Sequence, residues 1–241
     1  MNRIQQPYSQ KINFQSQALA KTFLANVFSW MFLALAITAL VAYLIAGNES
    51  FMQLMYNTET GGMSMTGWII MLSPLGLVFW MSMGFAKMSA QTLTLVFLAY
   101  SILMGLSLSF IFLAYTGASI AKTFVITSGM FGLMAVVGYT TKTDLSKFGS
   151  LMMMGLVGII IASVVNFFMK SAMMDYIISF IGVLVFTGLT AYDVQKLKRI
   201  GASAMSDGEG MRKITIMGAL TLYLDFINLF LFLLRFFGNR R

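Results

Sequence analysis

Two carboxylates stand where the chain is otherwise apolar. Asp193 lies in GLTAYDVQKLK (188–198) and Asp225 in TLYLDFINLFLFLLR (221–235). The other acidic residues, Glu49, Glu59, Asp144, Asp175, Asp207 and Glu209, fall in polar segments or at the edges of apolar runs. An ionisable group within a membrane span is costly and is a functional candidate by default. A close pair of carboxyls can hold one proton between them, coordinate a hard cation such as calcium, or activate water for peptide hydrolysis. The plainer alternative is two hydrogen-bond acceptors that tie helices together.

A charged Asp at the bilayer centre costs about 3 kcal/mol, and neutralising one at pH 7 costs roughly 4 kcal/mol. One buried Asp is therefore poised between its two states. A second carboxyl within hydrogen-bond reach penalises double ionisation and favours a single shared proton. Two carboxylates are too few for a tight calcium cage, but weak binding suits a permeant ion, which must leave again. The chain has no His and no Cys, which excludes disulfides, thiolate and imidazole metal sites and histidine proton relays. Any pH sensing then falls to carboxylates, and no cofactor is expected. The 22 Met residues show no recurring spacing across spans, and Met is a common filler of apolar surface, so a copper path is set aside.

The elements that must position the pair follow from composition. The chain is 59% hydrophobic and 10% charged, with a mean hydropathy of +0.83, well beyond the roughly 45–50% apolar content of soluble domains. Charge-free apolar runs near 23–46, 67–86, 91–114, 120–141, 148–169, 174–195 and 214–238 each approach the roughly 20 residues that a helix needs to cross a bilayer. The expectation is an all-α membrane protein, a bundle of seven transmembrane helices, with a six-span variant and a re-entrant last segment as the alternative. With the N-terminus cytosolic, the inside holds Arg3, Lys11, Lys21, Lys87, Lys142, Lys147, Lys196, Lys198, Arg199, Arg212 and Lys213, and the outside Lys122, Lys170, Arg240 and Arg241. That bias sets the N-terminus inside. The net charge of +8 therefore reads as topology and anionic lipid contact, not nucleic-acid binding. Residues 1–21 are expected as a mobile cytosolic tail, 22–241 as a single membrane domain, and 200–211 as a flexible link between the last two spans.

Local polar faces accompany both aspartates. Thr221, Asp225 and Asn228 share one side of the seventh span, and Thr190, Asp193 and Lys196 share one side of the sixth. Counted from Ile214, Asp225 lies about 16 Å deep, near the midplane. Asp193 is shallower, one turn before Lys196, so the two meet only if these spans pack side by side. Pro74 should kink the second span, and small residues at four-residue spacing, Gly105 with Ser109 and Gly158 with Ala162, should allow close helix approach. Asp207 and Glu209 lack the periodic ligands of a calcium loop.

The runs GLTAYDVQKLK (188–198), LYLDFINLFLFLLRFFG (222–238) and TKTDLSKFG (141–149) together resemble the Bax inhibitor-1 family, its bacterial branch in particular. The resemblance implies a multi-pass protein of the bacterial inner membrane, not an enzyme, that conducts a pH-sensitive calcium leak gated by an aspartate pair at Asp193 and Asp225. It also implies a basic latch for the sixth-span aspartate at the cytosolic end of the second span, where the only basic residue is Lys87. Membrane lipids, calcium ions and other membrane proteins are the expected partners. A non-conducting regulator of a protease or of a stress or death pathway is the alternative, since a fold does not dictate function. An intramembrane aspartyl protease also carries Tyr-Asp in one span and Asp in the next. Here the second aspartate reads Tyr223-Leu224-Asp225, where that class has Gly-x-Gly-Asp, and no Pro-Ala-Leu follows.

Overall fold

A computed structural model describes residues 5–57, 62–203 and 208–239. Its helices are α1 (Gln5–Ala46), α2 (Glu49–Met55), α3 (Met65–Gly84), α4 (Ala90–Leu108), α5 (Ile111–Ala114), α6 (Gly117–Thr140), α7 (Ser146–Met169), α8 (Ala172–Ala202) and α9 (Glu209–Phe237). A two-residue antiparallel ladder, β1 (Tyr56–Asn57) with β2 (Gly62–Met63), joins α2 to α3. Seven segments are long and apolar enough to cross a membrane: α1 from Ser16, α3, α4 with α5, α6, α7, α8 and α9. α9 is unbroken over 29 residues, about 43 Å at 1.5 Å per residue, so the re-entrant alternative for the last segment is corrected to a full-length helix.

Short polar side chains start the helices where backbone N–H groups would otherwise be orphaned. The Ser64, Ser89, Thr116 and Ser171 hydroxyls accept from Gly67, Thr92, Ser119 and Met174 N–H, at 3.0, 3.1, 3.3 and 3.3 Å. Pro74 lies within α3 and removes the N–H that would bond the Ile70 carbonyl four residues earlier. The Ser73 hydroxyl donates to that carbonyl at 2.9 Å, which explains how the helix passes through the proline. The third span is broken after Leu108, where Ser109 Oγ donates back to the Leu106 carbonyl at 2.7 Å.

α9 is the axis of the bundle. It packs on α1, α4, α6 and α8, while α3 packs chiefly on α4 and α7 on α8. Two groups, α1/α3/α4 and α6/α7/α8, therefore surround it, joined also by contact between α1 and α8. The core includes Phe97, Tyr100 and Leu222, Tyr223, Leu229 and Leu233 of α9, each at most 1% exposed. Large apolar side chains cover the outside, among them Phe79, Leu133, Met154, Ile161 and Phe168, as expected when lipid rather than water is the solvent.

Helix α1 runs from Gln5, so most of the segment expected as a tail, 1–21, is helical, and Ala20 is buried. The segment is rich in Gln, Lys and Ala, good helix formers, and Pro7 falls in the first turn where proline is tolerated. The link between the last two spans is narrower than 200–211, because α8 continues to Ala202 and α9 begins at Glu209; Asp207 lies outside the described residues. Of the two small-residue pairs, Gly105 meets Thr38 and Val41 of α1, whereas a Cβ on Gly158 would meet nothing within 4 Å.

Candidate functional site

Helices α8 and α9 pack side by side along much of their length, and this brings the two membrane aspartates together. Asp193 is 9% and Asp225 4% exposed, and their carboxyls lie within hydrogen-bonding reach of each other. A contact between two carboxyls is a hydrogen bond only when a proton sits between them. The second oxygen of Asp225, Oδ2, is buried with no hydrogen-bond partner. Among the described residues no third acidic or metal-binding side chain joins the pair in a metal-sized cluster.

A cleft of about 350 Å³ between α3, α8 and α9 is lined by Ser82, Phe85, Asp193, Lys196, Ile214 and Thr221, among others. Asp193 lines this cleft and Asp225 does not, so Asp225 is the inner member of the pair. The cationic neighbour that acts on Asp193 is Lys196, whose ammonium also lies 6.0 Å from the Tyr192 ring centroid. Lys87 sits in the turn after α3, its backbone N–H bonded to the Gly84 carbonyl at 2.9 Å. Among the described residues the ion pairs are Asp144–Arg199 and Asp175–Arg235, so Lys87 makes none with Asp193 in this conformation. Arg235, too far along α9 to reach Asp225, pairs with Asp175 at 3.8 Å.

Of the residues expected to form a supporting polar face, Thr221 lines the cleft with Asp193, and all three bond back to their own helices. Thr190, Thr221 and Asn228 donate to the carbonyls of Phe186, Met217 and Leu224 at 2.8, 3.0 and 2.8 Å. Each satisfies itself on its own helix, four residues back, and none bonds either aspartate. Back-bonding of this kind is the default for a hydroxyl in a span, because no water competes for it. Asp225 is thus left to Asp193, while Asp193 also has Lys196 as a neighbour.

A second polar cluster, beside Asp193, was not legible as such. The Gln195 amide donates to the Thr143 carbonyl at 2.8 Å, and its oxygen accepts from Leu145 N–H at 2.9 Å and from Arg199 at 2.8 Å. Arg199 also reaches Asp144 at 2.7 Å, and Lys198 donates to the Tyr139 carbonyl at 2.6 Å. The turn between α6 and α7 is thereby fastened to the helix that carries Asp193. Gly149 admits the Tyr192 ring, which any side chain there would strike. The one local signal was the i, i+4 spacing of Gln195 and Arg199, which puts both on one face. The Arg199 hydrogen bond, followed by those from Ser146, holds Asp144 well below the usual carboxylate range. A lowered carboxylate favours folding above its unfolded value near pH 4 and loses that contribution only as pH falls through its folded value. Asp144 therefore stays ionised from pH 5 to 8 and cannot sense pH there. Gln195→Ala should leave Leu145 N–H and the Thr143 carbonyl without their partner, at about 1–3 kcal/mol; thermal unfolding in detergent measures it.

At the start of α9, Glu209 accepts from Ala90 N–H at 3.2 Å, and Lys213 lies 4.9 Å from the Phe85 ring centroid. The start of α9 is thus anchored to the turn that contains Lys87.

Comparison with known proteins gives a consistent assignment. The family model described as "Inhibitor of apoptosis-promoting Bax1" matches residues 20–241. The Escherichia coli K12 inner membrane protein YbhL is 50% identical over 228 residues, covering 94% of this chain and 95% of that one. A Rickettsia prowazekii protein is 46% identical over 221 residues, 92% of this chain and 91% of the relative. A membrane protein of Streptococcus pyogenes is 35% identical over 228 residues, with 93% and 96% covered.

Proposed function

The chain belongs to the Bax inhibitor-1 family, and on that premise we propose that it is a pH-sensitive calcium leak channel gated by the Asp193–Asp225 pair. It is a multi-pass protein of the bacterial inner membrane. The observation that carries the proposal is the close approach of two buried carboxyls, one of which lines a cleft. A proton between them neutralises the inner carboxyl, whose Oδ2 is buried without a hydrogen-bond partner. Removing that proton leaves two acceptors that repel each other and attract a hard cation. Two carboxylates hold calcium weakly, which permits release on the far side. The Lys and Arg bias of the loops supports a cytosolic N-terminus and hence a cytosolic mouth for the cleft.

The same pair argues less for hydrolysis, which needs a substrate bond and a water between both carboxyls. Here Asp225 is absent from the cleft lining. Purified protein in proteoliposomes loaded with a calcium indicator tests the channel. Absence of calcium flux at every pH between about 5 and 8, the window in which a shared-proton pair titrates, would remove the proposal. Cleavage of a transmembrane peptide that Asp193→Ala abolishes would favour the protease instead.

Lys87 remains the candidate latch. We expect Lys87→Ala to raise basal calcium flux, because a lysine that reaches Asp193 when α3 closes over the cleft would hold the pathway shut. Unchanged basal flux would take Lys87 out of the mechanism.

A further inference from the structure

At the opposite end of the bundle from Lys196, a cleft of about 560 Å³ lies between the end of α7, the start of α8 and the end of α9. We propose that this cleft binds the phosphate of an anionic phospholipid through Lys170 and Arg235. Ser163, Asn166 and Asp175 also line it, with Phe232 as an apolar wall. Its charges are two cations and one carboxylate. The Asp175 carboxylate is already occupied by the Asn166 amide, which donates to it at 2.8 Å, and by Arg235 at 3.8 Å. The site thus carries one net positive charge, which matches a single phosphodiester. Among the described residues the loose contact with Asp175 is the one ion pair of Arg235, which leaves guanidinium donors for the bidentate geometry that phosphate favours.

Lys170 is the more telling residue. It ends α7 with φ 51° and ψ 35°, and among the described residues it is the only non-glycine with a positive φ. Glycine is the favoured residue at such a helix end, since a Cβ is disfavoured in the left-handed region. A cation held there against backbone preference points to a use for its charge. Lys170 is exposed and belongs to neither ion pair found among the described residues.

Depth and surroundings fit a lipid rather than a free anion. Asp175 precedes Asp193 by 18 residues on one helix, about 27 Å along its axis, close to the roughly 30 Å of a hydrocarbon core. The cleft therefore sits at headgroup level. Beside it Phe167, Phe168, Met169, Tyr176 and Phe180 are 51–77% exposed, an apolar and aromatic surface for acyl chains. A soluble phosphate would use none of that surface.

Native mass spectrometry and thermal unfolding of the full chain in detergent, with phosphatidylglycerol, phosphatidylethanolamine or inorganic phosphate added, test the proposal. Phosphatidylglycerol should be retained in preference to phosphatidylethanolamine and should raise the unfolding temperature, while inorganic phosphate should not. Lys170→Gly should weaken phosphatidylglycerol binding about fivefold, the effect of one basic residue near an anionic surface. The same variant should unfold no earlier than wild type without lipid, since glycine relaxes the left-handed backbone. Arg235→Lys should retain the charge yet bind more weakly through loss of the fork. Equal phosphatidylglycerol binding by wild type and both variants would overturn the proposal, as would an equal response to inorganic phosphate. A lower lipid-free unfolding temperature for Lys170→Gly would overturn the reading of Lys170.

Discussion

Asp225→Asn is expected to abolish the pH dependence of calcium flux between about pH 5 and 8 in proteoliposomes, the range set by shared-proton coupling. The amide is nearly isosteric and can still hydrogen-bond Asp193, so the helix contact survives while the titrating partner is lost. A hydrogen bond to a charged group is worth about 1.5–3 kcal/mol, or about 10- to 150-fold in an equilibrium. The remaining Asp193 would then titrate as a single group on a cleft wall. Asp193→Asn should have the same consequence from the other side, and the double variant should add little, because residues that act as one unit are not additive. Asp144→Asn provides the control. Asp144 is ionised throughout this window by virtue of Arg199 and Ser146, so its replacement should leave the pH response in place. If Asp225→Asn conducts with an unaltered pH profile, the sensor lies elsewhere.

Gly138→Ala is expected to be strongly destabilising for a change of a single methyl group. A Cβ at Gly138 would run into the backbone of Ala191 on α8, and a backbone cannot rotate aside as a side chain can. Overpacking costs up to about 3 kcal/mol, which for a chain of this size corresponds to roughly 6–12 °C in unfolding temperature. Ala191 is two residues from Asp193, so the displacement should also disturb the pair and alter flux per folded molecule. Gly158→Ala is the matched comparison. It lies on α7 with nothing within 4 Å, and should be neutral or mildly stabilising by up to about 1 kcal/mol through helix propensity. Equal melting of the two variants would contradict the close α6–α8 contact.

The chain's own chemistry determined that it crosses a membrane with seven helices. An unpaired backbone is prohibitive in lipid, so each long apolar run must be a helix whatever its neighbours are. Several helix starts were equally local, since Ser64, Ser89, Thr116 and Ser171 cap through bonds that span three residues. The two aspartates stood out for the same reason, because the cost of a carboxylate in a span depends on that residue alone.

What only the tertiary structure decided was which groups meet. Thr190, Thr221 and Asn228 shared a helical face with the aspartates, yet a face says nothing about whether a hydroxyl turns outward or back to its own carbonyl. Gly105 and Gly158 look alike in sequence, and one lies against α1 while the other faces open space. Gln195 and Arg199 show no purpose until the α6–α7 turn arrives beside α8. The central place of α9, and with it the burial of Asp225 against Asp193, follows from how helices of similar apolarity cross. That depends on the fit of small and large side chains over the whole bundle, and no local run of residues encodes it.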